Sequence, residues 1–139
     1  MEKLLAESPD LVNARDNDGY TPLHRAAYGG HCKTADFLIS HGANVNAKTQ
    51  DGWTPLHSAA HWDQRDMCEL LLNLGAEINA TTDGGNTALH CACLQPQTPR
   101  TISLLLRWPY VRSDLRNAQN DTAKDICERH CPFAKELFG

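Results

Sequence analysis

The sequence predicts an all-α repeat solenoid, because one phrase returns at a fixed interval and is followed each time by helical spacing. DGYTPLHRAA begins at Asp18, DGWTPLHSAA at Asp51 and GGNTALHCAC at Gly84, so the period is 33 residues. A period of this size is typical of stacked repeats, each of which buries its apolar face only against a neighbour. We therefore expect one domain over residues 1–139, built as a stack without a central core.

Each repeat should begin with a tight turn and a short helix. A turn pair such as Asp18-Gly19 opens the phrase, and glycine supplies the positive backbone angle that a tight turn needs. Thr21 follows as a helix N-cap and Pro22 as the first helical residue, a pairing that the second copy repeats. The apolar residues after them share one helical face at i, i+3 and i+4 spacing: Leu23, Ala26 and Ala27.

A longer second helix and an extended arm should complete each unit. Gly42 and Gly75 stand where the first two of these second helices are expected to end. The segments GANVNAKTQ and GAEINATTD then lead as arms into the next turn. Apolar residues at helical spacing mark the second helix in all three copies: Ala35, Leu38 and Ile39; Cys68, Leu71 and Leu72; Ile102, Leu105 and Leu106.

TPLHRAA and TPLHSAA, followed in register by GANVNA and GAEINA, resemble ankyrin repeats over nearly the whole chain. That resemblance implies a β-hairpin or arm and a helix-turn-helix in every repeat. The sequence begins in the middle of a repeat, which indicates either a fragment of a longer chain or an atypical N-terminal cap. We predict three full repeats between two partial capping repeats: a partial N-terminal repeat at 1–16, repeats at 17–49, 50–82 and 83–117, and a degenerate C-terminal cap at 118–139.

Departures from the repeat pattern narrow the resemblance. HWDQ at 61–64 replaces a glycine-containing turn, and Trp108-Pro109-Tyr110 replaces a Gly-Ala ending. The step from Thr87 to Thr122 is 35 residues, with the extra residues near 95–99 and 107–111. Together with the closing TAKDI, these segments are similar to a small group within the ankyrin-repeat family. The similarity implies an intracellular protein with a role in regulating transcription.

The charge of the chain is uneven. The formal net charge is −4, and residues 1–99 carry 6 basic and 12 acidic residues, whereas residues 100–139 carry 7 basic and 5 acidic ones. An acidic balance disfavours nucleic acid as a partner, since a strong basic patch is its usual footprint. Four arginines flank Trp108 and Tyr110 within Arg100–Arg116, so contact with nucleic acid through that segment stays open as an alternative.

The cysteine content and the hydropathy of the sequence indicate where in the cell the protein is found. Six cysteines at irregular spacing, in a chain already held by stacking, favour free thiols in a reducing compartment. The sequence contains neither a secretory h-region nor an apolar run near the roughly 20 residues of a membrane helix. We expect an intracellular protein of the cytoplasm, the nucleus or both, without membrane contact.

Three histidines at the same place in their repeats, His24, His57 and His90, suggest a metal triad at first sight. Neighbouring helices pack about 8–10 Å apart, whereas zinc needs nitrogens at about 2.0–2.1 Å, so this ladder cannot converge on one ion. We expect each imidazole to hydrogen-bond nearby backbone instead. The sequence also has no phosphate loop, paired-carboxylate motif or nucleophile elbow, and we expect no enzyme activity, cofactor or metal.

A cluster of cysteines and histidines near the C-terminus has the donor types of a zinc site: Cys91, Cys93, Cys127, Cys131, His90 and His130. Cys93 and Cys127, however, fall at positions that small buried alanines hold in other repeats, and free cysteine is commonly a small core residue. Packing is therefore favoured over metal. Cys91 corresponds to Arg25 and Ser58, so we expect it to be exposed and the most reactive thiol.

A protein partner is expected on the turns and first helices, which form the concave side in the family that the chain resembles. Tyr, Trp and Arg are enriched at binding hot spots, and Trp53 and Trp62 are the predicted anchors. Stacking of these rings between repeats is the alternative. We expect a monomer that binds a protein segment, or a scaffold or capping part of a longer chain. The candidate contact residues are Tyr20, Arg25, Tyr28, Trp53, Ser58, His61, Trp62, Asn86 and Leu94.

Asn13, Asn46 and Asn79 recur in the motif VNA or INA. Asparagine at such a place commonly hydrogen-bonds the backbone of a turn, which predicts a role in holding the arm. The resemblance to ankyrin repeats also implies that these asparagines are substrates of a cellular oxygenase that hydroxylates them.

Overall fold

The computed structural model describes residues 12–94, 100–130 and 132–138, and these residues form seven α-helices and a closing 3-10 helix. No strand occurs in these ranges, and none of their helices is long and apolar enough to cross a bilayer. The predicted all-α solenoid is confirmed. First helices are α1 (Pro22–Gly29), α3 (Pro55–His61), α5 (Ala88–Leu94) and α7 (Ala123–His130); second helices are α2 (Cys32–Ser40), α4 (Arg65–Asn73) and α6 (Arg100–Arg107); the 3-10 helix is Pro132–Phe138.

Threonine starts each of the first helices. Thr21 is the N-cap of α1, its hydroxyl accepts the His24 backbone N–H at 3.4 Å, and His24 Nδ1 accepts the Thr21 backbone N–H at 3.1 Å. This reciprocal pair is a capping box in which histidine stands where Glu or Gln is usual. In α5 the Thr87 backbone N–H donates to His90 Nδ1 at 3.1 Å. The cap therefore survives where Ala88 replaces proline.

The helices form two layers along the stack. α1, α3, α5 and α7 pack in succession in one layer, and α2, α4 and α6 pack in succession in the other. Large apolar side chains such as Leu23, Leu56 and Leu89 are fully buried between repeats. Cys93 and Cys127 are equally buried in places that alanines hold elsewhere, which confirms their predicted packing role. The core is therefore a series of inter-repeat interfaces.

The predicted hairpins are hydrogen-bonded turns that stack on one another. The Asp16 backbone N–H donates to the Tyr20 carbonyl at 3.0 Å, and the Gln50 N–H donates to the Asp18 carbonyl of the preceding turn at 3.0 Å. Gly19 has φ +85°, and a Cβ on it would lie 2.9 Å from the Gln50 nitrogen. Only glycine fits this conformation without displacing the next repeat.

Two breaks in the pattern place other residues at glycine positions. Asp63, with φ +57°, stands where α1 is followed by Gly30 with φ +72°. Its Oδ1 accepts a hydrogen bond from the Thr101 hydroxyl at 2.6 Å, which ties the HWDQ turn to α6. A short polar residue tolerates this left-handed conformation because it can hydrogen-bond locally.

Tyr110 is the second such residue. The Asn79 side chain donates to the Tyr110 carbonyl at 2.8 Å, as Asn46 donates to Gly75 at 3.2 Å, so Tyr110 is the structural counterpart of Gly75. Tyr110 has φ +67°, where a bulky side chain is an outlier. Its side chain is 91% exposed and has no packing role. The segment 95–99, where part of the insertion was predicted, lies outside the described residues.

The segment that follows the third repeat forms one more turn and first helix. The Asn117 backbone N–H donates to the Asp121 carbonyl at 2.9 Å, and Asn120 takes the positive φ of +64°. Asp125 then replaces the histidine of the capping box, and its carboxylate accepts the Thr122 backbone N–H at 3.0 Å. The 3-10 helix packs on α6 and α7 and closes the stack. At the other end, residues 1–11 of the predicted partial repeat lie outside the described residues.

Candidate protein-binding surface

The recurring histidines are fully engaged with the backbone. On the side away from the N-cap, each Nε2 donates to a carbonyl of the repeat or cap that follows: His24 to Trp53 at 2.9 Å, His57 to Asn86 at 2.9 Å and His90 to Asp121 at 2.9 Å. His57 Nε2 also lies 3.0 Å from the Ala80 carbonyl of its own repeat. This confirms the predicted backbone role. Each ring links its own helix start to the following repeat and offers no nitrogen to a ligand.

These contacts require neutral imidazoles. A backbone N–H, such as that of Thr54, donates to Nδ1, so the single ring proton lies on Nε2. Burial lowers the pKa of all three histidines, and that of His57 falls to about 4 because burial opposes the charged form more than the carbonyls favour it. The ladder is therefore uncharged at neutral pH.

The cysteines correct one expectation. Cys91 is fully buried rather than exposed, and burial raises the pKa of its thiol to about 12, so the prediction of a reactive thiol is wrong. Cys32 is only half-buried, and burial raises its pKa as well. Cys131 lies outside the described residues. Among the described residues, no three His, Cys, Asp or Glu side chains are close enough to hold a metal ion.

Ser58 is a second correction. It was predicted to face a partner, yet it is buried, because α3 packs between α1 and α5. Arg25 holds the equivalent position in α1, which within the described ranges has a first helix beside it on one side only. The Arg25 side chain is 68% exposed. Of this set of equivalent positions, only Arg25 is available to a partner.

Three predicted contact residues form an exposed aromatic surface, defined here as Tyr20, Tyr28 and Trp62. Tyr28 of the first repeat and Trp62 of the second have ring centroids 4.9 Å apart and planes tilted by 58°. Tyr28 is 55% exposed, Trp62 45% and Tyr20 37%. The ring pair joins two repeats and leaves much of each ring open to solvent.

A groove along α1 connects Tyr20 to Tyr28. It is also lined by Asp18, His24 and Arg25 and has a volume of about 350 Å³. The Arg25 guanidinium carbon lies 5.8 Å from the Tyr20 ring centroid, a cation–π contact, and its nitrogen lies 2.5 Å from an Asp16 carboxylate oxygen. The sequence analysis did not select Asp16. A signal was present, because neither later repeat carries an acidic and a basic residue at the positions equivalent to Asp16 and Arg25.

Trp53 and His61 lie beneath the exposed surface. Trp53 is half-buried and packs against the core, with its ring 5.6 Å from that of His61 at 87°. His61 in turn meets Trp62 edge-on at 5.1 Å. The buried His61 Nδ1 has no hydrogen-bond partner among the described residues, and burial lowers the pKa of His61. His61 thus contacts both tryptophan rings and links the half-buried Trp53 to the exposed Trp62.

The third repeat adds little to this surface. The Asn86 side-chain oxygen accepts a hydrogen bond from Asn117 Nδ2 at 2.9 Å, so the Asn86 amide joins two turns. Leu94 is half-buried against the core. The predicted contact residues therefore concentrate in the first two repeats.

The recurring asparagines hold the arms, as predicted. Asn13 donates to the Gly42 carbonyl at 3.0 Å and accepts the Asn44 N–H at 3.0 Å. Asn46 and Asn79 make the same two bonds one and two repeats later, at 2.8 to 3.2 Å. Each amide is thus satisfied at both ends by the following arm.

The positive charge of the segment Arg100–Arg116 is partly neutralised by nearby carboxylates. Arg112 lies 3.4 Å from the Asp114 carboxylate, and Arg116 lies 3.7 Å from that of Asp125. Trp108 is half-buried against the core. Arg100 and Arg107 are exposed on α6.

A family model described as "Ankyrin repeats (3 copies)" matches residues 1–82 and 48–121. The chain belongs to the ankyrin-repeat family. It is 60% identical over 129 residues to ankyrin repeat domain-containing protein 49 of Bos taurus and of Homo sapiens, and 61% identical to that of Mus musculus. Each alignment covers 93% of this chain and 54% of the relative, so the chain spans about half the length of these relatives. The narrower resemblance is confirmed.

Ankyrin-repeat proteins generally mediate protein–protein interactions, and the family is typically non-enzymatic. The geometry agrees with that role, because the recurring histidines His24, His57 and His90 of the first helices are hydrogen-bonded to backbone. What the ankyrin stack offers outward is an aromatic surface on its first two repeats.

Proposed function

We propose that the chain is a non-enzymatic module that binds a protein segment on the exposed aromatic surface. The observation that carries this proposal is the Tyr28–Trp62 pair, in which two large rings from adjacent repeats remain about half exposed. Rings of this kind supply large contact area at low conformational cost and are typical interface anchors. Of the two predicted anchors, we retain Trp62, because Trp53 is half-buried in the chain itself.

The variant Tyr28→His/Trp62→Gly tests this proposal, since it installs the residues that the equivalent positions of the other repeat carry. Proteins that co-purify with the wild-type chain from cells should be lost, with affinity at least thirtyfold weaker, because a hot-spot truncation costs roughly 2 kcal/mol or more. Tyr110→Gly is the matched control, as it removes an exposed aromatic ring far from this surface. Equal recovery of partners with all three chains would refute the proposal.

A scaffold or capping role within a longer chain is the second candidate function. It is supported by the relatives, of whose length this chain covers 54%. On this account the partner would bind outside these residues, and the aromatic variant would retain every partner of the full-length protein. Nucleic-acid contact through 100–116 has weaker support, since Arg112 and Arg116 are already paired with carboxylates.

We also propose that the interaction takes place in the cytoplasm or nucleus and serves the regulation of transcription, as the similarity to the narrower ankyrin group implies. Buried, reduced thiols such as Cys68 and Cys91 suit a reducing compartment. Fractionation of cells that express a tagged full-length protein should recover it with nuclear or cytosolic markers. A partner with no effect on a transcriptional reporter when depleted would contradict the regulatory role.

Hydroxylation of Asn13, Asn46 and Asn79 is a further proposal that rests on the resemblance to ankyrin repeats. Both polar atoms of these amides are already bonded to the next arm, and oxidation at Cβ leaves those bonds intact. Peptides from expressing cells should gain the mass of one oxygen atom at one or more of these residues. An unmodified mass for all three peptides would overturn this proposal.

A further inference from the structure

A row of carboxylates at the turn tips begins beside the exposed aromatic surface, where Asp18 lines the same groove as Tyr20 and Tyr28. Asp18, Asp51 and Asp83 are all exposed, and no ion pair is found for them among the described residues. The Gln50 N–H bonds to the Asp18 carbonyl and the Asp83 N–H to the Asp51 carbonyl, each at 3.0 Å, so successive tips are adjacent. The carboxylates therefore follow the edge of the stack, starting from Asp18 in the groove.

The chain itself demonstrates what this surface attracts. The Arg25 guanidinium lies over the Tyr20 ring and is neutralised by Asp16, so a cation, a ring and a carboxylate already meet at one end of the groove. At the other end, Tyr28 and Trp62 present tilted ring faces, and no Lys or Arg of the described residues lies over them. The Tyr28–Trp62 pair thus offers ring faces to a cation that the described residues do not supply.

We propose that the partner segment is basic and places a lysine or arginine side chain against the Tyr28–Trp62 pair, while Asp18, Asp51 and Asp83 attract its flanking cations. This inference rests on the proposed function and names the chemistry of its partner. A cation over an aromatic face is attracted by the ring quadrupole, most strongly for Trp. The carboxylates raise the local concentration of basic segments and repel acidic segments and phosphate backbones.

Selection from a displayed library of random twelve-residue peptides tests the proposal while the partner itself is still unidentified. Peptides that bind the wild-type chain and fail to bind Tyr28→His/Trp62→Gly should be enriched in lysine and arginine. Enrichment in acidic peptides, or no preference for charge, would overturn the inference. A random single-stranded DNA oligonucleotide is run in parallel, and preferential binding of the DNA would overturn it as well.

The role of the carboxylates is tested with one selected peptide. Asp18→Asn/Asp51→Asn/Asp83→Asn should weaken its binding at least tenfold in low salt, and raising the salt to 0.5 M should shrink the difference. The control Asp36→Asn/Glu77→Gln/Glu128→Gln makes the same change in net charge at other exposed positions and should weaken binding less than threefold. Equal effects of the two triple variants would overturn the local role of the tips.

The outcomes separate this inference from the proposed function. A library that yields no peptide dependent on the aromatic pair overturns both. Peptides that depend on the pair but tolerate the Asp18→Asn/Asp51→Asn/Asp83→Asn variant without loss overturn the basic partner alone and leave the aromatic surface as the binding site.

Discussion

Two sets of rings lie on or beside the same first helices and differ in what they touch. His24, His57 and His90 recur in every full repeat, and each is bonded to its own N-cap and to a carbonyl of the next repeat. Tyr28 and Trp62 occur once each, contact one another and remain about half exposed, and Trp62 also meets the ring of His61. The difference teaches that the histidine position kept between copies holds the stack, whereas the exposed rings at 28 and 62, which the other repeat does not carry, are open to a partner.

The largest expected effect comes from the recurring rings. His57→Ala leaves a cavity and removes the hydrogen-bond partners of the Thr54 N–H and of two carbonyls, so we expect the free energy of unfolding to fall by about 4 kcal/mol. Urea denaturation followed by circular dichroism measures it. The exposed His130→Ala should cost less than about 0.5 kcal/mol. Similar losses of stability for both variants would contradict the claim that the recurring histidines hold the stack together.

The same rings should make stability depend on pH. A histidine in the unfolded chain has a pKa of 6.5, whereas that of folded His57 is about 4, so the unfolded state binds more protons between these values. The contribution of neutral His57 to the free energy of unfolding is therefore fully present above pH 6.5. It is lost as the pH falls towards 4, by roughly 3 kcal/mol. His24 and His90 add to this in the same direction.

Thermal and urea unfolding at a series of pH values measures that decline. The pKa values of Asp16 and Asp125 are lowered, chiefly by backbone hydrogen bonds, so these carboxylates titrate below this window. His57→Ala should have a shallower dependence than the wild-type chain. An NMR titration of the His57 ring with a midpoint near 6.5 would contradict the buried, neutral imidazole.

A smaller change, an increase in the free energy of unfolding, is expected at a position where one repeat has glycine and another does not. Tyr110 holds a left-handed conformation, and its exposed ring stabilises nothing, so Tyr110→Gly should raise the free energy of unfolding by about 1 kcal/mol. Asn120→Gly is the matched control, with a smaller gain, because asparagine tolerates this conformation. A loss of stability in Tyr110→Gly would mean that the ring packs on the chain.

Features set by local sequence and by the period were predictable. The helices, the threonine caps, the histidine bonds and the asparagine bonds each depend on a few residues at fixed spacing, and the structure confirms them. Burial at equivalent positions was not predictable from one repeat. Arg25, Ser58 and Cys91 align, yet only the first is exposed, since exposure depends on which helices pack on either side.

The third repeat contains a second feature that the sequence alone did not predict. The sequence located its insertion but could not assign Tyr110 to the place of Gly75, because that register is defined by the hydrogen bond from Asn79. The half-buried state of Trp53 likewise depends on the position of His61 beside it. The boundaries of the five predicted segments and the contact residues other than the buried Ser58 stay predictions.

The most direct test of the division between holding and contacting residues is the free energy of unfolding of Tyr28→His/Trp62→Gly. If the pair is reserved for a partner, its removal should cost no more than about 1.5 kcal/mol, the upper range for an aromatic pair. A loss that approaches the about 4 kcal/mol expected for His57→Ala would contradict the account, because the rings would then hold adjacent repeats together.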